Sequence, residues 1–259
     1  MRLRKPACVV MVTIAVGIWL NLASSGLAQN ELIKKPFHQW TKAEATKVLN
    51  ESPWAVTQEA RIDFGREVRK IAGAPVVDGA YLTAELGGAN IAVDYRVTLR
   101  LRSALPIRRA IVRLKQIEAK YDQMSEKDRD VFDAKTNGLL DCPGCVQNYV
   151  ITISCKSMNY PGADCLYEGL RGATLPSIKP YIHILNDRGD QRELIHFMPP
   201  KGPNEESILF FQRFDDEDRP LLTASSKKLI FRLSDNNAKA ITNFEIDVSK
   251  LILDGKIEF

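Results

Sequence analysis

The sequence predicts an α+β protein, with helices mainly in the N-terminal half and an antiparallel β-sheet or sandwich in the C-terminal half. Two amphipathic, capped segments before residue 140 and a series of short apolar segments separated by turn residues after it carry this reading. The composition agrees: 259 residues at 45% hydrophobic and 26% charged are ordinary for a globular chain and exclude the disordered, collagen-like and multi-span membrane classes.

The chain opens as a secretory leader. Arg2, Arg4 and Lys5 precede an apolar run over 8–23, and Ser24-Ser25-Gly26-Leu27-Ala28 supplies small residues for cleavage after Ala28. The run stops short of the roughly 20 residues that span a bilayer as a stable helix. No Leu-x-x-Cys pattern closes it, so Cys8 is no lipid-attachment site. The leader holds those three basic groups and no acid, so most of the +4 net charge goes with it and the mature chain is close to neutral. Whole-molecule attraction to nucleic acid or to an anionic membrane is therefore not expected. Residues 29–259 read as a single α+β domain, with a subdivision near residue 140 as the alternative.

Trp40-Thr41-Lys42-Ala43-Glu44 starts a helix, because a threonine hydroxyl can accept from the first free amides while the glutamate three residues on reaches back. Ala45, Val48 and Leu49 share a face, Pro53 ends the helix, and Trp40 and Trp54 bracket it as packing anchors. Gly73, Pro75, Gly79, Gly87 and Gly88 mark turns. From 91 to 103 apolar and polar residues alternate, Val97, Leu99 and Leu101 against Arg96, Thr98, Arg100 and Arg102, which is a half-buried strand. Pro106 then opens a helix through Ile107, Ala110, Ile111, Leu114 and Ile117, its missing N–H costing little at that end. A further helix starts at Ser125 and is expected to stop at Gly138. Strands are expected at 146–154, 181–186, 193–198, 208–214, 228–233, 243–248 and 256–259.

The segment Trp40-Thr41-x-x-Glu44, Leu49, Ser52-Pro53-Trp54-Ala55, followed by Arg102-Ser103-Ala104-Leu105-Pro106, the Arg109-Ala110 helix and a closing Gly255-Lys256-Ile257-Glu258-Phe259, resembles a family of exported bacterial proteins of unknown function. These landmarks are packing and capping residues. The resemblance implies export and brings no activity, cofactor or site residue with it.

Cys142, Cys145, Cys155 and Cys165 remain once the leader is gone. A clustered, even set in an exported chain points to disulfides, with three pairings open. Pro143 and Gly144 favour a type II turn that would bring the Cys142 and Cys145 Cα atoms within bridging range. Two other uses of the same sulfurs are weighed against that. A thiol-disulfide oxidoreductase on Cys142 and Cys145 needs a thiolate held by a helix N-terminus, whereas a strand is expected from Val146. Structural zinc on all four thiolates suits the first pair but not the longer spacing of the second.

Nucleophilic hydrolysis needs a base beside an exposed Ser or Cys, and only His38, His183 and His196 are on offer, with no Gly-x-Ser-x-Gly elbow and no His-Glu-x-x-His. Glu193 and His196 are three apart on a strand and so point to opposite faces. A two-residue turn at Gly189–Asp190 would set His183 directly opposite His196 as a ligand pair, while a turn at Arg188–Gly189 would separate them. No third ligand accompanies the pair, and exposed polar neighbours is the plainer reading. Arg188-Gly189-Asp190 spells an integrin-type tripeptide that reads here as turn chemistry. Asp215-Asp216-Glu217-Asp218 lacks the alternating ligands and the glycine of an EF-hand loop and reads as a solvated loop. Arg96, Arg100, Arg102, Arg108, Arg109 and Arg113, with Lys115, run without an acid and are a candidate anion-binding stripe, the alternative being an ordinary charged face.

The expectation drawn from these residues is an exported, non-catalytic binding or scaffolding protein of the envelope or exterior, stabilised by disulfides. It has no cofactor, zinc being the alternative, no stable membrane span after cleavage, and a protein or envelope component as its partner.

Overall fold

A computed structural model gives the fold and describes residues 31–64, 91–159, 170–202, 205–234 and 241–259. The leader, the turn-rich stretch at 73–88 and Cys165 lie outside the described residues. Helix α1 (Lys42–Glu51) begins with the expected capping box: the Glu44 amide donates to Thr41 Oγ1 at 3.2 Å and the Thr41 amide to Glu44 Oε2 at 2.7 Å. The Thr41 amide, with Lys35 at 3.0 Å, holds the Glu44 carboxyl below its usual range. Ala45 and Val48 of α1 pack with Trp40 and with Ala110 of α2 (Leu105–Glu118), forming a small core of their own. Helix α3 (Glu126–Asp141) is capped by Ser125, whose hydroxyl accepts from the Asp128 amide. It runs through Gly138, where it was expected to stop, because the left-handed residue that ends it is Cys142, with φ 37°, whose N–H donates to the Gly138 carbonyl.

Two strands, β1 (Ala55–Phe64) and β2 (Ile91–Leu101), come from the N-terminal half. The rest follow as β3 (Asn148–Ser157), β4 (Ile182–Asn186), β5 (Gln191–Met198), β6 (Ser207–Gln212), β7 (Lys228–Ser234) and β8 (Ile241–Asp247). They form one eight-stranded sheet in the order β1-β2-β3-β6-β5-β4-β7-β8, antiparallel at every pairing. Because β2 pairs with β3 over Tyr95–Leu101, the sheet runs unbroken across residue 140. The sheet curls until its two edges meet, where Gln58 Nε2 donates to the Asn243 carbonyl at 2.9 Å.

Eight strands curled this far, without a ladder between β1 and β8 among the described residues, leave an interior that side chains just fill. Val93, Tyr95, Leu99 and Leu101 of β2 alternate inward with Tyr149, Ile151, Ile153 and Cys155 of β3, and meet Ile184, Leu194, Leu209, Phe211, Phe231 and Phe244 from the other strands in one core. Phe231 stands edge-on to Phe211 and Phe244 at 6.1 and 6.2 Å.

The last segment closes one end of this curl. A two-pair hairpin, β9 (Ile252–Leu253) with β10 (Lys256–Ile257), turns through Asp254 and Gly255 at φ 50° and 76°, the conformation an Asp-Gly pair is suited to. Beyond it the Trp54 indole donates to the Glu258 carbonyl at 2.6 Å, and the Glu258 carboxylate accepts from the Leu105 amide at 2.6 Å, capping α2. Arg213 lies over the rings of Tyr149 and Phe259 and donates to the Phe259 backbone oxygen. Burial there pushes the Tyr149 phenol up to about 12. Replacing Trp54, which is fully buried, by phenylalanine removes both the N–H that reaches the tail and part of the indole's volume, so a loss of about 2–4 kcal/mol is expected in chemical denaturation, and an unchanged unfolding free energy would show that the indole does not hold the tail. No described helix is long and apolar enough to cross a membrane.

Candidate functional site

Cys142 and Cys145 are joined, with S–S 2.02 Å and Cα atoms 5.3 Å apart. The local geometry differs from the expected type II turn: Pro143 sits at φ −54°, ψ −35°, and Gly144 begins a helical turn, α4 (Gly144–Gln147). The reason is the left-handed Cys142 at the end of α3, after which a right-handed turn redirects the chain. The Cys145 amide donates to the Cys142 carbonyl at 2.8 Å and the Val146 amide to the Pro143 carbonyl at 3.2 Å, so β3 starts at Asn148 rather than Val146. Cys145 is buried and Cys142 half-exposed. Cys155, on the inner face of β3, is also in a disulfide, whose partner lies outside the described residues. Sulfurs so joined present no thiolates, and a zinc site on all four thiolates requires a reduced form of the chain.

The histidine pair does not form. His183 lies opposite Glu193 and His196 opposite Phe210, because the hairpin turns earlier than expected. The buried Asn186 side chain fixes the turn: its Oδ1 accepts from the amides of Arg188 and Asp190 at 2.9 and 3.0 Å, and its Nδ2 donates to the Leu221 carbonyl at 2.9 Å. Gly189 takes the left-handed position at φ 90°. An irregularity between Leu194 and His196 then restores the inward face at Phe197. Arg188 and Asp190 pair with each other at 3.3 Å, which is turn chemistry as expected. Asp215, likewise, spends its carboxylate on the amides of Glu217 and Arg219 and on the Arg219 side chain.

Burial holds the His183 imidazole below its usual value near 6.5, outweighing the Glu193 carboxylate, while the Arg232 charge pushes the same way as burial. The unfolded chain then takes up a proton that the folded chain refuses, so this group costs stability as pH falls from the unfolded value through the lower folded one. His183→Gln is expected to flatten the decline of the melting temperature between about pH 7 and about pH 5. Identical pH profiles for parent and variant would contradict it.

The arginine stripe is not one surface. Arg96 pairs with Glu59 at 2.8 Å on the exposed face of β1 and β2. Arg100 is drawn into a knot in which its guanidinium donates to the Leu49 carbonyl (2.9 Å), Ser154 Oγ (3.1 Å), Asn50 Oδ1 (2.7 Å) and the Glu206 carboxylate. Arg102 is half-buried on the turn before α2. Arg108 donates to the Leu140 carbonyl, tying α2 to α3, and stands 3.8 Å from Glu258. Arg113 donates to the Trp40 carbonyl at 2.8 Å and lies 3.7 Å from Asp122. Arg100, Arg108 and Arg113 tie separate elements of the fold together through the carbonyls and acids they meet.

Arg109, like Arg102, is without such a partner among the described residues. Half-buried on α2, its guanidinium makes no hydrogen bond or ion pair among the described residues. It lines a cleft of about 300 Å³ together with Ile33, Lys34, Lys35, Pro36, Phe37 and His38 of the N-terminal arm and Leu253 and Asp254 of the last hairpin. Three segments far apart in sequence converge there, and only Arg109 among its lining residues belonged to the expected anion site. The Lys34-Lys35-Pro36-Phe37-His38 run was the available sign of it, but nothing in the sequence places that run beside Arg109. No protein-family model, no curated protein and no solved structure matches the chain.

Proposed function

We propose that this protein is exported and acts by binding rather than by catalysis, with its fold fastened by disulfides and its contact with an envelope or extracellular ligand made at the Arg109 cleft. The observation that carries the reading is the state of the cysteines. Cys142 is joined to Cys145, and Cys155 is joined as well, which suits an oxidising compartment. In the mature chain the remaining cysteine is Cys165, and we assign it as the partner of Cys155.

A second reading has one observation in its favour. Cys142 is half-exposed while Cys145 is 4% exposed, and Val146 beside them is 64% exposed, the asymmetry a thiol-disulfide exchange site uses. Against it, the turn that follows has four residues, too few to hold a thiolate by its dipole, and Asp141 precedes the pair.

Thiol titration of native and denatured protein, with mass mapping of the bridges, separates the two when combined with a disulfide-reduction assay. The expected result is no free thiol in either state, the pairings Cys142–Cys145 and Cys155–Cys165, and no turnover. Turnover of a disulfide substrate would establish the second reading, and free thiols with bound zinc would overturn both.

A further inference from the structure

We propose that the cleft around Arg109 takes a small organic carboxylate carrying a short apolar body, an inference that rests on the binding function proposed above and names its ligand class. Two features of the cleft set the chemistry. The first is charge left uncommitted. Lys35 is held by both oxygens of Glu44 at 3.0 Å, and Lys34 faces Glu31 at 3.0 Å, whereas Arg109 has no ion pair among the described residues, although Asp254 shares its cleft. A guanidinium presents a planar fork that matches a carboxylate in two parallel bonds. His38 lines the same cleft from the exposed side, as a further donor.

The second feature is the apolar part of the lining. Ile33 is 6% exposed and belongs to the main core, Phe37 packs edge-on against Trp40 at 6.4 Å, and Leu253 packs against the main core from the last hairpin. A ligand of charge alone would leave this surface wet, and an uncharged apolar ligand would leave Arg109 unpaired, so the two features together select an amphipathic anion. The volume of about 300 Å³ sets the size, at the small end of ligand sites. Asp254 is the one acidic side chain in the lining, and it opposes an anion.

Hexanoate is the probe, with hexanol supplying the body without the charge and acetate the charge without the body. Titrated into the mature protein and followed by amide chemical shifts of residues 33–38, 109 and 253–254, hexanoate is expected to bind with a dissociation constant on the order of 1 mM. Hexanol and acetate are each expected to bind about ten-fold more weakly or worse. Arg109→Gln should weaken hexanoate about ten-fold while leaving the melting temperature unchanged, since Arg109 makes no hydrogen bond or ion pair among the described residues. Arg109→Lys should restore part of the affinity. Asp254→Asn should strengthen it several-fold, and asparagine tolerates the left-handed backbone at φ 50°.

Hexanol binding as well as hexanoate, acetate binding as well as hexanoate, or unchanged affinity in Arg109→Gln would each overturn the proposal. The disulfides are mapped on the same sample. Failed binding with all bridges intact removes the ligand class and spares the exported, bridged protein; free thiols remove the functional reading itself.

Discussion

Phe231→Ala is expected to lower the unfolding free energy by about 3–5 kcal/mol, read by denaturant unfolding. Phe231 is 1% exposed and touches the ring of Phe211 on one side and that of Phe244 on the other, while its strand pairs with both β4 and β8. A cavity there opens where four strands lean on one another, and the surrounding rings cannot collapse into it without breaking the curl of the sheet. Phe210→Ala is the matched control. Phe210 sits on the outer face of β6, half-buried against His196 at 5.1 Å, and its loss should cost less than half as much. Equal effects at the two positions would mean that the inner face of the sheet is not the core.

The second large effect is expected at Arg100. Replacing it by methionine keeps the apolar stem and leaves the Glu206 carboxylate, Asn50 Oδ1 and the Leu49 carbonyl without their donor. A buried ion pair broken from one side costs about 3–5 kcal/mol; Glu206 is 32% exposed, so water recovers part of this and about 2–4 kcal/mol is expected. Arg100→Met combined with Glu206→Gln should regain some of the loss, since the stranded charge goes with its partner. A double variant as unstable as the sum of the two single ones would show that the residues do not act on each other.

Local features of the fold were legible where sequence neighbours decide them. Thr41 and Glu44 cap a helix because they are three residues apart, Pro106 opens one because its ring fits the first turn, and the alternation of Val97, Leu99 and Leu101 with the arginines between them gives β2 its two faces. The α+β class and the antiparallel sheet follow from such features. Register did not. The hairpin after β4 depends on the Asn186 carboxamide reaching the Leu221 carbonyl, a contact across 35 residues, and on the irregularity near Ile195, so the predicted alignment of His183 with His196 was lost.

The same limit governs the arginines. A run of basic residues without an acid reads as a charged stripe, yet Glu206 and Glu258 arrive from more than 100 residues away to meet Arg100 and Arg108. Of the two arginines the stripe leaves over, Arg102 and Arg109, the second is singled out only by the cleft that the folded chain builds around it. The Cys142–Cys145 turn was misjudged for a more local reason: Pro143 and Gly144 suit a type II turn in isolation, but α3 delivers the chain with Cys142 already left-handed.

Mass spectrometry of the protein isolated from its producing cells, unreduced and fractionated by compartment, tests most directly where the protein is oxidised and what becomes of residues 1–28. The predicted product begins at Gln29, is found outside the cytoplasm, and carries Cys142 bridged to Cys145 with no free thiol. An intact Met1 on a cytoplasmic protein whose cysteines all react with a thiol reagent would contradict it.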